Sequence, residues 1–253
     1  MTAPTPGLPI WVDLGTADVE DAQRFYTSLF EWTAHVSGDD YGGYTIFNLD
    51  GRPVAGAGPL FGEGQPTAWS TYFSTDDVDA SAERVKAAGG KVLVPPFDVM
   101  EQGRMAACLD PLGAPFSLWQ SGTMVGAEVV DVPGALTWSE LTTRDAEGAA
   151  AFYGEIFGWV ARPTDAPGLP YVVWELDGRM IGGMQPMVGN AWPADLAPHW
   201  MLYFAVRHCD ETAELARSLG GRVTQPPTNF ALGRYAVLQD PQGGTFSILE
   251  GNS

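Results

Sequence analysis

"FYTSLFEW" occupies residues 25–32 and "FYGEIFGW" occupies residues 152–159, nearly the same letters 127 positions apart. In the first copy Val19, Ala22, Phe25, Tyr26, Leu29 and Phe30 recur at helical spacing after Asp18. The stretch therefore reads as the apolar face of a capped helix that packs on a sheet. The echo extends in both directions. Trp11 returns as Trp138, "LDGR" at 49–52 as "LDGR" at 176–179, and "WSTYF" at 69–73 as "WMLYF" at 200–204. "AAGGKV" (87–92) returns as "SLGGRV" (218–223), and "DPLGAPFS" (110–117) as "DPQGGTFS" (240–247). The offset drifts from 127 to 131 and 130, as small loop insertions produce. Two copies argue for duplicated domains, not a solenoid.

Within copy one, "IWVDLG" (10–15) alternates and reads as a strand. "YTIFNLDG" and "RPVAGAGPL" are short strands about a glycine turn. The pattern then restarts with "WSTYFS", a helix over "DVDASAERVKAAGG" stopped at Gly89, and the strands "KVLV", "RMAACLD" and "APFSLWQ". The chain is thus α+β, with four βαβββ units in two domains, residues 1–120 and 136–253, and a linker at 121–135.

Formal net charge is −18, which opposes sequence-independent binding to nucleic acid or anionic lipid. A small molecule is the expected partner. Cys108 and Cys209 hold no equivalent places in the repeat, so two free thiols in a reducing compartment are expected. The start "MTAPTPGLP" lacks a secretion signal, and no run approaches membrane-spanning length. A cytoplasmic protein is the expectation.

The order of elements, the helix ending "FYTSLFEW", the "AAGGKV" turn and the final strand "DPLGAPFSLWQ" resemble the vicinal oxygen chelate superfamily. That family includes glyoxalase I, extradiol dioxygenases, fosfomycin-resistance enzymes and bleomycin-binding proteins. The resemblance covers nearly the whole chain, twice, and extends to bacterial tandem members labelled glyoxalase-like or hydroxylase. It implies that each mixed sheet curls into a cup and that the monomer mimics a homodimer, with further dimerisation left open. It also implies three metal-ligand positions per copy, on the first, fifth and last strands. These fall on Trp11, Ser70 and Ser117, and on Trp138, Met201 and Ser247. Indole, thioether and neutral hydroxyl suit hard cations poorly, so no metal and no other cofactor is expected. His35, His199 and His208 lack ligand spacing. Oxygen insertion normally needs a metal, flavin or haem, and no signature for one is present.

Strand alternation places Trp11 with Asp13, and Trp138 with Glu140, toward the cup; Ile10, Val12 and Leu14 face the helix. Ser70, Tyr72, Ser117 and Trp119 join the cup face in copy one; Met201, Tyr203, Ser247 and Leu249 do so in copy two. Such walls suit a flat, largely apolar ligand. Asp13 and Glu140 are candidate catalytic carboxylates if no arginine reaches them; Arg104 and Arg234, counted among the ligand-binding positions, are their possible ion-pair partners, and such pairs would make the acids scaffold. The resemblance implies that the loops at 95–104 and 226–234 cover the cup mouth, with Phe97, Met100 and Phe230 as lid side chains. The functional expectation is a metal-independent binder, for sequestration or acid–base transformation. The alternatives are a metal-dependent lyase or dioxygenase with atypical ligands, and an interaction protein with filled cups.

Overall fold

The computed structural model describes residues 4–38, 42–60, 62, 64–164, 170–189, 192–230 and 233–252. The four units appear in order. The first is β1 (Pro9–Thr16), α1 (Val19–Phe30), β2 (Thr33–Val36), β3 (Thr45–Leu49) and β4 (Arg52–Pro59). The second is β5 (Ala68–Ser74), α2 (Val78–Ala87), β6 (Lys91–Val99), β7 (Gly103–Leu109) and β8 (Pro115–Ser121). Copy two repeats them as β9 (Leu136–Thr143), α3 (Ala146–Phe157), β10 (Val160–Pro163), β11 (Val172–Leu176) and β12 (Arg179–Pro186). It closes with β13 (His199–Ala205), α4 (Cys209–Ser218), β14 (Arg222–Phe230), β15 (Gly233–Gln239) and β16 (Thr245–Gly251).

Local chemistry explains the boundaries. Asp18, Asp77 and Asp145 cap α1, α2 and α3 by accepting from the backbone N–H three residues on. Asp50–Gly51 and Asp177–Gly178 all hold positive φ, the two-residue hairpin turn that joins β3 to β4 and β11 to β12. Each copy supplies one eight-stranded mixed sheet, ordered β2-β3-β4-β1-β5-β8-β7-β6 and β10-β11-β12-β9-β13-β16-β15-β14. The pairs β1/β4, β5/β8, β9/β12 and β13/β16 are parallel. The expected loops at 95–99 and 226–230 are instead the ends of edge strands β6 and β14. Their prolines survive there because edge strands tolerate a missing donor, and the register shifts absorb them.

The cores follow a different division from the sheets. One compact unit holds residues up to Ile10, Thr71–Val125 and Trp138–Met201; the other holds Trp11–Ser70, Gly126–Thr137 and residues from Leu202 onward. In the second unit, α1 packs with Leu202, Phe204, Phe246 and Ile248 from copy two. In the first, α3 packs with Phe73, Ala106, Phe116 and Leu118 from copy one.

This interleaving accounts for the repeated letters. Tyr26 is fully buried; its hydroxyl donates to Asp240 Oδ2 at 2.9 Å and accepts from Trp69 Nε1 at 3.0 Å. In the other unit Tyr153 donates to Asp110 Oδ2 at 3.3 Å and accepts from Trp200 Nε1 at 3.0 Å. Each aspartate's other oxygen closes its own "DP-x-G" turn by accepting two backbone N–H groups. Burial raises the pKa of both aspartates and both tyrosines. The last letter of the stretch works the same way. Trp32 Nε1 donates to Gly134 O at 2.7 Å, and Trp159 Nε1 to Gly7 O at 3.0 Å.

The two cores differ in filling. Val12, Phe47 and Ala55 in one correspond to Ser139, Trp174 and Gly182 in the other. Ser139 Oγ and Trp174 Nε1 are buried with no hydrogen-bond partner among the described residues. Cys108 and Cys209 are both buried and unpaired, and burial pushes their thiols up to about 12 and about 11. No helix among the described residues is long and apolar enough to cross a membrane.

Candidate functional site

On β1, Val12 and Leu14 turn into the helix-packed core, so Trp11 and Asp13 occupy the opposite face. There Trp11 Nε1 donates to the Tyr44 hydroxyl at 3.0 Å, and Tyr44 donates to Asp13 Oδ2 at 3.1 Å. Copy two repeats the arrangement. Trp138 Nε1 donates to the Tyr171 hydroxyl at 2.8 Å, and the Tyr171 phenol hydrogen-bonds Glu140. Burial first, then the Glu140 carboxylate, raises the Tyr171 pKa well above its ordinary value. That phenol therefore stays a donor at neutral pH.

Glycines make these chains possible. Gly56 on β4 pairs with Asp13, and Gly183 on β12 pairs with Glu140. A Cβ built on either would overlap the tyrosine hydroxyl. The absent side chain is the slot through which Tyr44 or Tyr171 reaches the acid. Neither tyrosine nor glycine stands among the expected site residues. The signal is in the sequence nonetheless, because all four lie at the 127 offset shared by Asp13 and Glu140.

The remaining expected residues fall on β5/β8 and β13/β16. Tyr72 pairs with Ser117, and its ring meets Trp119 edge-on at 6.3 Å between centroids. Tyr203 pairs with Ser247, and its ring lies 6.4 Å from Tyr235, which in turn meets Phe230 at 5.4 Å. Ser70 and Met201 are half-buried. The expected covering side chains Phe97, Met100 and Phe230 are exposed.

The arginine expectation is corrected. Arg104 shares its strand face with Ala106 and Cys108, which sit in the helix-packed core. It forks onto Asp79 in the first turn of α2, through Nε at 2.9 Å, and onto Asp98 at 2.9 Å. Arg234 likewise holds Asp210 in the first turn of α4 at 2.6 Å and Asn229 at 2.9 Å. These arginines tie helix starts to strands, in place of the expected Asp13 and Glu140. The guanidinium bonds hold Asp79 and Asp210 below the usual carboxylate range.

The family-implied metal positions carry indole, hydroxyl and thioether groups, and the Trp11 and Trp138 N–H groups are already committed to tyrosines. Among the described residues no group of three or more His, Cys, Asp or Glu could hold a metal ion. This donor set does not fit a divalent cation. Two open surface cavities, of about 570 and 520 Å³, lie at the β14–β15 hairpin end and beside α1. Neither includes the tyrosine–carboxylate chains. The chains hold half-buried acids oriented by hydrogen-bond donors on the aromatic faces.

Residues 9–118 match the sequence model of the Glyoxalase/Bleomycin resistance protein/Dioxygenase superfamily, and residues 125–249 match that of the Glyoxalase-like domain. The chain is 42% identical over 266 residues to the anthracycline biosynthesis protein DnrV of Streptomyces peucetius, covering 99% of this chain and 95% of DnrV. Its fold is similar to that of the 2,3-dioxygenase LapB from Pseudomonas sp. KL28, with a TM-score of 0.67 and 14% identity over 99% of this chain and 94% of LapB. It is also similar to the Mn(II)-bound glyoxalase from Novosphingobium aromaticivorans, with a TM-score of 0.66 and 16% identity over 98% of this chain and 83% of that one.

Proposed function

This chain belongs to the Glyoxalase/Bleomycin resistance protein/Dioxygenase superfamily, and on that premise we propose that it binds a small, flat, largely apolar molecule at the aromatic faces of its sheets, for sequestration or acid–base transformation. One observation supports this above others. A tryptophan–tyrosine–carboxylate chain stands in each copy, with a glycine left open beneath the tyrosine. A half-buried carboxylate steered by a phenol can accept a ligand hydroxyl or take its proton. Surrounding indole and phenol rings stack on planar ligands. The name of DnrV supports a polycyclic aromatic of the hydroxyanthraquinone class as the first ligand to try.

The test is a titration of intrinsic tryptophan fluorescence with a planar hydroxyanthraquinone, alongside Asp13→Asn and Glu140→Gln. Saturable quenching that weakens in either variant supports the reading. If turnover is also seen and is lost in the variants, the acid–base role holds; retained binding without turnover leaves sequestration. No saturable binding to the wild-type protein across a panel of planar aromatics would leave the interaction-protein alternative.

A further inference from the structure

The aromatic faces of the two copies are built from equivalent positions, yet they are not equivalent in packing. In copy one the face carries Tyr72, Met105, Ser117 and Trp119, at 7%, 9%, 5% and 6% exposure. All four are closed off. Trp119 lies across Gly103, where an added Cβ would meet its ring at 2.6 Å. Its N–H is already spent on Met124 O at 3.0 Å. The large indole fills this face and holds its own polar edge satisfied.

Copy two places Tyr203, Tyr235, Ser247 and Leu249 at the same positions. Two exchanges matter, Met105 for Tyr235 and Trp119 for Leu249. With the indole gone, Tyr203, Tyr235 and Leu249 are only half-buried. Ser247 at their centre is 0% exposed, and its Oγ has no hydrogen-bond partner among the described residues. Its strand neighbours Phe246 and Ile248 point into the helix-packed core, so Ser247 points toward the rings. It is paired with Tyr203 on one side and Val237 on the other. A buried hydroxyl left without a partner is costly, and unlike Ser139 in the helix-packed core this one faces half-buried rings that a ligand can reach.

We propose that copy two's β13–β15–β16 face is the working ligand site of the chain, and that the Ser247 hydroxyl donates a hydrogen bond to a carbonyl oxygen of a planar aromatic ligand. Copy one's equivalent face is plugged by Trp119. The half-exposed rims, Tyr203, Tyr235 and Phe230, turn aside to admit the ligand plane and then stack on it. This rests on the ligand-binding reading above and adds which of the two equivalent faces binds and through which atom.

The experiment is calorimetric titration with a hydroxyanthraquinone, combined with thermal unfolding of the ligand-free protein. The expected stoichiometry is one ligand per chain. Ser247→Ala is expected to weaken binding roughly 3- to 10-fold while leaving the melting temperature of the free protein equal or higher, since an unpaired buried hydroxyl is removed. Leu249→Trp, which copies the packing of copy one, is expected to lower affinity more than about 10-fold in a folded protein. Two equal sites per chain, unchanged affinity in Ser247→Ala, or a lowered melting temperature in that variant would each overturn the assignment. Absence of binding to the wild type would instead overturn the ligand-binding reading, and this inference with it.

Discussion

The two cores of this chain share one latch and differ in what fills the space around it. Tyr26 with Asp240 and Trp69, and Tyr153 with Asp110 and Trp200, repeat donor for donor. Around them, one core uses Val12, Phe47 and Ala55, all apolar and fully buried. The other uses Ser139, Trp174 and Gly182, and leaves a hydroxyl and an indole N–H without partners. The exchange of Phe and Ala for Trp and Gly conserves volume roughly, which packing requires. It does not conserve polarity. The latch is the same in both cores, whereas the filling has only to fit and differs between them.

The comparison can be broken most forcefully at the latch. Tyr26→Phe or Tyr153→Phe strands a buried tryptophan N–H and removes a carboxylate's donor. Each is expected to cost about 2–3 kcal/mol in urea unfolding. Similar losses in the two variants would confirm that the latches are equivalent, and a loss in one alone would separate them. Next in size are Gly56→Ala and Gly183→Ala. The new methyl must push Tyr44 or Tyr171 off its acid, at about 1–3 kcal/mol. Ligand titration of the same variants shows whether the carboxylate loses its orientation.

The filling should respond with the opposite sign. Ser139→Val restores the residue of the other core and is expected to stabilise by about 0.5–1.5 kcal/mol, while Val12→Ser should destabilise by at least as much. A loss of stability in Ser139→Val would mean that its hydroxyl is satisfied by bound water.

The smallest effects concern pH. Burial raises the Asp110 and Asp240 pKa values in the folded chain. Such a group favours folding most below its unfolded pKa, and that contribution is lost as pH rises through the folded value. Asp110→Asn and Asp240→Asn should therefore lose less stability than wild type between the ordinary carboxylate range and neutrality. Asp79 and Asp210 run the other way, because Arg104 and Arg234 lower their pKa values. Their contribution is present above the unfolded pKa and disappears as pH falls through the folded one. Being exposed, it should also fade with added salt.

Much of the fold was legible because it is local. Helical spacing in "FYTSLFEW", the capping aspartates and the Asp–Gly turns are each written within a few residues. The partner of Tyr26 was not legible for a simple reason. Copy one and copy two both offer an aspartate in the same "DP-x-G" turn, so letters alone cannot tell Asp110 from Asp240. Pairing across a duplication is a property of the folded chain. The site was half legible: alternation placed Trp11 and Asp13 together, yet Tyr44 lies beyond the alternating run and reaches them across a neighbouring strand. Alternation also held the correction for Arg104 and Arg234, which share a strand face with core residues Ala106 and Ala236. Charge complementarity with Asp13 and Glu140 points the other way.

Trp32 grips Gly134, and Trp159 grips Gly7, so each copy's first helix ends by holding the lead-in of the other copy's first strand. A gene severed after Val125 would encode a polypeptide with Tyr26 and Asp110, two complementary ends of one clasp. Two identical half-chains would have to carry identical faces. One continuous chain carries no such restriction. It lets Trp119 stand on one face while Leu249 stands on the other.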